Sequence, residues 1–417
     1  MSACCTPSKP VQPGASNPSC PPVPACCAGA GGTPSSARHA DVAWFDDMVS
    51  RTCAFAAAEK EKGRRLVGIL CEYTPREIIL AAGAWPVCLC GGSAETIPAA
   101  ERDIPANLCP LIKSTYGYSI EKANPFLEMA DLLVAETTCD GKKKMYELLA
   151  RRHPMVVLEL PQKADDPDAR EHWIRELRKL RSELERRFGV EIGDGDLRQA
   201  IRLMNRERRL KRNLAELMKQ DAPPMTGREL LNMKSLISCI PDDLDVYERA
   251  AASLSGRQAV ADADQRVRVL LTGVPVPHGA ERILDLLEAE GGLVVCQENC
   301  TGLKPLLEDV DENAADPLEA IADKYFRLPC SVMTPNSRRQ EALRALARDW
   351  RADCVVELIW QTCLTYDIES VAIRRLAEEE LDVPYLKIET DYSPSDSARI
   401  ALRVQALYET VRARKSS

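Results

Sequence analysis

Seventeen cysteines and four histidines (His39, His153, His172, His278) are the residues of this 417-residue chain best equipped to hold metal or carry electrons. The N-terminus lacks the charged-then-apolar pattern of an export signal, so a cytoplasmic location is expected. Thiols stay reduced there, and a disulfide framework does not account for so much sulfur. Metal or redox chemistry is the remaining use. No histidine stands beside a cysteine at zinc-finger spacing, and thiolate-only ligation favours iron-sulfur over mixed zinc sites. A compact Cys-x-x-Cys string of the ferredoxin type is absent, so the ligands must come from distant parts of the chain.

Open parallel sheets gather ligands beyond the C-terminal ends of their strands. Three cysteines fall at such ends: Cys71 after the strand Leu66–Leu70, Cys139 after Leu132–Thr138, and Cys363 after Val355–Thr362. Three more lie in loops: Cys109 before Pro110, Cys300 in Glu298-Asn299-Cys300-Thr301-Gly302, and Cys330 after Pro329. A cysteine just before a helix gains from the backbone N–H groups there, which lower the thiol pKa and can donate to cluster sulfurs. Cys139-Asp140-Gly141 fits that placement, and Lys142, Lys143 and Lys144 add positive charge beside an anionic centre. Cys53, Cys88, Cys239, Cys296 and Cys354 read as packing residues.

The elements that must position these residues follow from apolar periodicity. Residues 1–40, rich in Pro, Gly, Ala and Ser and holding Cys4, Cys5, Cys20, Cys26 and Cys27, are expected to be a disordered tail. A helical stretch from Asp41 to Lys62 leads to strands at Leu66–Leu70, Trp85–Cys90, Ala130–Glu136 and Met155–Leu160, with a helix opening at Thr74-Pro75 and stopping at Gly83. Long charged helices follow at Ala169–Phe188, Asp196–Lys219 and Gly227–Cys239, their charges read as solvated faces. A second series places strands at Val267–Thr272, Leu293–Cys296, Cys354–Trp360 and Pro384–Ile388, with a helix at Ala280–Glu290. The expected fold is α/β: two similar Rossmann-like parallel-sheet domains, 41–165 and 257–417, joined by a helical connector, 166–256. Both halves run strand, Gly-ended helix, strand, Cys beside Pro, then an apolar strand ending in Thr-Cys, the pattern of a structural duplication.

Three segments carry a more specific signal. Gly68-Ile69-Leu70-Cys71-Glu72-Tyr73-Thr74-Pro75-Arg76-Glu77, Asn107-Leu108-Cys109-Pro110-Leu111-Ile112-Lys113-Ser114 and Glu136-Thr137-Thr138-Cys139-Asp140-Gly141-Lys142-Lys143-Lys144 resemble the 2-hydroxyacyl-CoA dehydratase and benzoyl-CoA reductase superfamily. Within it they are most similar to the double-cubane cluster proteins. Segments 298–304, 329–338, 361–369 and 389–392 extend the resemblance from about Leu66 to the C-terminus.

The resemblance implies two α/β domains flanking a cluster of two [4Fe-4S] cubanes bridged by sulfide, with six cysteine ligands. Cys71, Cys109, Cys139, Cys300, Cys330 and Cys363 supply that number, and Cys90, at the end of the second strand, could replace Cys71. It further implies a homodimer that receives low-potential electrons from a separate ATP-hydrolysing iron-sulfur activator protein and reduces a small-molecule substrate. No Gly-x-x-x-x-Gly-Lys-Ser/Thr loop is present, so ATP belongs on the partner. Alternatives are a radical 2-hydroxyacyl-CoA dehydratase or aromatic acyl-CoA reductase subunit, and a non-catalytic electron or cluster carrier. Glu72, Lys113, Glu298, Lys304 and Gln361 adjoin the ligands as candidate proton donors or cluster-tuning groups, and His278, in a loop after Pro277, is a further candidate proton donor. A net charge of −8 argues against nucleic-acid binding, and no apolar run is long enough to span a membrane.

Overall fold

The computed structural model describes residues 39–416. The disordered tail expected over 1–40 therefore lies almost wholly outside the described residues. Two four-stranded parallel sheets make the frame. β1 (Arg65–Ile69), β2 (Ala84–Cys88), β3 (Leu132–Glu136) and β4 (Met155–Leu158) are ordered β2-β1-β3-β4, and β5 (Val267–Gly273), β6 (Gly292–Glu298), β7 (Cys354–Trp360) and β8 (Tyr385–Thr390) are ordered β6-β5-β7-β8. The two orders are the same, so the duplicated rhythm of the sequence is also a duplicated topology.

Strands buried along their whole length are what parallel sheets covered by helices require: every residue of β3 and β7, and of the edge strand β6, is buried. The outer strands β4 and β8 are only partly covered. In each sheet the first strand has neighbours on opposite sides, since Ile69 is paired with both Cys88 and Val134. This reversal of strand order opens a crevice beyond the strand ends, the usual place for a ligand in such sheets.

Local signals set the helix boundaries. Asp166 accepts the Asp168 N–H at the start of Pro167–Phe188, and Gly189, at φ 67°, ends it in the left-handed conformation that glycine tolerates. Leu177, Leu180 and Leu184 of this helix are fully buried in one cluster with Val67 and Ile69 of β1 and with Ile321 and Tyr325 from the second half. One core thus spans both halves.

Three expectations need correction. The entry helix is broken into Ala40–Ala43 and Met48–Glu61. The helix expected over Gly227–Cys239 stops at Asn232, because the following backbone pairs with the free edge of β2: Cys88 donates to the Leu236 carbonyl at 2.9 Å, and Ser238 donates to Pro86 at 3.3 Å. Edge pairing outweighs helix continuation there, and a further helix, Pro241–Leu254, starts afresh with Pro at its first turn. Finally, the charges of the connector are not all solvated. Asn205, Glu207 and Arg208 of the helix Asp194–Glu216 are buried against the two halves. Among the described residues, no helix is long and apolar enough to cross a membrane.

Candidate metal centre and adjoining cavity

Three of the six proposed ligands occupy one kind of position. Cys109, Cys139 and Cys363 are the N-cap residues of the helices Pro110–Glu121, Asp140–Leu149 and Leu364–Arg375. Burial pushes the Cys109 thiol up to about 11 while the amides of Leu111 and Ile112 draw it back, although none closes a full capping hydrogen bond. Burial likewise raises Cys363, with the Tyr366 amide opposing. The turn into Cys363 is strained: Thr362 sits at φ 62°, rare for a β-branched residue. Cys71 follows β1 and Cys300 follows β6, and Cys330 lies in the loop after the helix Pro317–Phe326.

The six thiols fall into two groups of three by mutual electrostatic influence. Cys71 feels Cys300 and Cys330, and Cys300 feels Cys330. Cys109 feels Cys139, and Cys363 feels both. Each group draws on both halves of the chain, and they meet where Cys363 also feels Cys330. Burial holds Cys71 well above the usual thiol range and Cys300 near 12, so as free thiols both are protonated and inert. Cys90 stands differently: its thiol donates to the Leu70 carbonyl at 3.6 Å, and its electrostatic neighbours are Lys142, Cys88, Glu72 and Arg76.

Among the described residues, no three His, Cys, Asp or Glu side chains are gathered closely enough to hold a single metal ion. The donor set fits a polynuclear iron-sulfur group, which spreads thiolates over several metal atoms and takes them deprotonated. Lys142 supports that fit. Its ammonium donates to the Leu70 carbonyl at 2.8 Å and faces Cys71, Cys90 and Cys139. Lys143 and Lys144 do not join it, being turned to solvent and paired with Asp140 and Glu147.

Beside Cys71 and Cys300 lies a cavity of about 240 Å³. Its wall is mostly apolar, with Ile69, Phe126, Met233 and Val295 among the lining residues, and it carries a set of charges from three parts of the chain. Glu72 is held by Arg76 through two hydrogen bonds of 2.8 and 2.9 Å, and Glu207 by Lys211. Burial pushes the Glu72 carboxyl up, but the Arg76 guanidinium outweighs it and keeps the group below the ordinary carboxylate range.

The other sequence candidates separate. His278 lines the cavity, with its Nδ1 3.4 Å from Glu281. Glu298 is fully buried at the end of β6, where it accepts from Thr272 and lies 3.3 Å from Lys304. Lys304 donates to the Tyr366 hydroxyl at 2.7 Å, and Tyr366 faces Cys330 and Cys300. Lys113 is tied at 2.8 Å to Glu101 and to the Ala106 carbonyl, bracing the loop before Cys109. Gln361 is exposed, and its backbone N–H donates to Thr390 at 2.9 Å.

Several groups had no signal in the sequence. Arg339, fully buried, lies within ion-pair distance of Glu298, Glu357 and Glu369 beneath the second sheet's strand ends. Glu136, at the end of β3, accepts from Thr74, and burial lifts its carboxyl to about 8. Charged residues on an amphipathic pattern look solvated until the tertiary fold covers them.

Sequence comparison finds relatives over most of the chain. The family model described as 2-hydroxyglutaryl-CoA dehydratase, D-component, matches residues 71–411. The Escherichia coli (strain K12) protein YjiM, provisionally named a dehydratase subunit, is 42% identical over 354 residues, covering 84% of this chain and 92% of its own length. The (R)-phenyllactyl-CoA dehydratase beta subunit of Clostridium sporogenes is 21% identical, over 88% of this chain and 97% of its own. A benzoyl-CoA reductase subunit of Thauera aromatica is 23% identical, over 72% of this chain and 77% of its own. With the family model matched over residues 71–411 and a relative 42% identical over most of both chains, the chain belongs to the 2-hydroxyglutaryl-CoA dehydratase D-component family.

Proposed function

We propose that this chain is the iron-sulfur component of a two-component, ATP-dependent reductase. Cys71, Cys300 and Cys330 hold one [4Fe-4S] cubane, and Cys109, Cys139 and Cys363 hold a second, bridged to the first by sulfide. When bound, this group supplies one-electron chemistry at low potential. A separate ATP-hydrolysing activator protein delivers the electrons, and a small substrate accepts them from the adjoining cavity.

The observation that carries the reading is the partition of six thiols into two threes that meet at Cys330 and Cys363. A single cubane needs only one such group. The chain's own residues do the rest: three helix starts present N–H groups to the ligands, Lys142 balances negative charge, and apolar walls limit water.

The names of the relatives favour a second reading, in which the substrate is a 2-hydroxyacyl-CoA or aromatic acyl-CoA thioester. Reduction of the anaerobically purified chain by activator and ATP, followed by mixing with candidate substrates, separates the two. Reoxidation by small molecules without thioester turnover supports the first reading, and turnover of a thioester supports the second. Reversible oxidation that no substrate accelerates identifies an electron carrier instead.

A further inference from the structure

The charges lining the cavity do not balance. Its two carboxylates, Glu72 and Glu207, already hold Arg76 and Lys211, and Arg208 is paired with Glu77. Lys142 faces the thiols. Two ammonium groups are left, Lys234 and Lys324, and among the described residues neither has a carboxylate within ion-pair distance.

Lys324, on the helix Pro317–Phe326, is 6% exposed and donates to the Pro305 carbonyl at 3.1 Å. Burial and the nearby Arg208 guanidinium hold its ammonium well below the usual range. Lys234 lies in the segment that pairs with the edge of β2, and burial lowers it to about 8. Both line the same cavity, Lys234 from the segment after Asn232 and Lys324 from the helix Pro317–Phe326. Burying unpaired charge is costly, and the cost is offset when an anion enters and pairs with it.

We infer that the cavity binds a small free carboxylate with a short hydrocarbon body, its carboxylate between Lys234 and Lys324 and its body against the apolar wall. This rests on the proposed function only for the idea that the occupant is a substrate. A thioester carbonyl is neutral and leaves both ammonium groups unpaired.

The test is equilibrium binding of n-butyrate, butyramide and butyryl-CoA to the full chain purified anaerobically, with iron counted on the same samples. Butyrate is expected to bind saturably and roughly tenfold or more tightly than butyramide, as a charge-assisted contact gives. Lys234→Met and Lys324→Met should each weaken butyrate by about tenfold, while Lys234→Arg, which keeps the charge, should retain it. Circular dichroism melting checks that each variant is folded. Equal binding of butyramide, or lysine-dependent binding of butyryl-CoA in place of butyrate, overturns the inference. Butyrate binding by an iron-free preparation supports the pocket while retiring the proposed centre, so the two failures are distinct.

Discussion

Cys363 lies within electrostatic reach of Cys330, and through this pair the two groups of three thiols become one continuous set. Cys330 belongs with Cys71 and Cys300, and Cys363 with Cys109 and Cys139. Under the proposed ligand assignment each group therefore draws on both halves of the duplicated fold.

This arrangement distinguishes Cys71 from Cys90. Cys71→Ser is expected to remove the iron of its group, lowering the count per chain by about half, whereas Cys90→Ser should keep the full count. Iron and acid-labile sulfide assays on the two variants decide it. Full iron in Cys71→Ser with loss in Cys90→Ser assigns the ligand to Cys90.

The buried network around Arg339 is a stability element. Arg339→Met leaves buried Glu357 without an ion partner and removes one from Glu298 and Glu369, and we expect a loss of about 3–5 kcal/mol in urea unfolding. The more exposed pair Arg344–Glu380 is the control, and Arg344→Met should change stability by less than about 0.5 kcal/mol.

Much of this was legible in the sequence because its signals are local. Apolar runs found all eight strands to within a few residues, and Cys139-Asp140-Gly141 marked a helix start, while the helix opening at Pro110 went unread. What could not be read is set by long-range contact. Glu207, Arg208 and Lys211 lie on a helix whose charges looked solvated, yet the second half folds over them. The segment after Asn232 has the composition of a helix but pairs with an edge that only the folded sheet exposes. Which cysteines group together likewise depends on how two sheets face each other.

The halves also meet at Gly92. A Cβ there stands 2.2 Å from the His278 carbonyl oxygen, so the backbones approach too closely for any side chain. Gly92→Ala should destabilise the chain by about 1–3 kcal/mol and weaken butyrate binding, since Gly92 and His278 both line the cavity. Thermal unfolding and the binding assay report the two effects separately.

Anion binding should depend on pH through Lys234. Burial lowers its ammonium to about 8, with Glu281, Cys88, Lys211 and Glu72 facing it. An anion pairs with the charged form, so the Lys234 contribution to butyrate affinity is present below about pH 8 and falls as pH rises through it. Calorimetry in buffers of different ionisation enthalpy should show proton uptake on binding near that pH. Lys234→Arg should flatten the profile, and an unchanged profile in that variant removes Lys234 as its source.

The central claim is the two-group cluster, and counting metal and sulfide tests it most directly. The full chain, purified under strict exclusion of oxygen, should be brown and carry about eight iron atoms with a matching amount of acid-labile sulfide. A count near four points to a single cubane, and a colourless protein with bound zinc contradicts the claim outright.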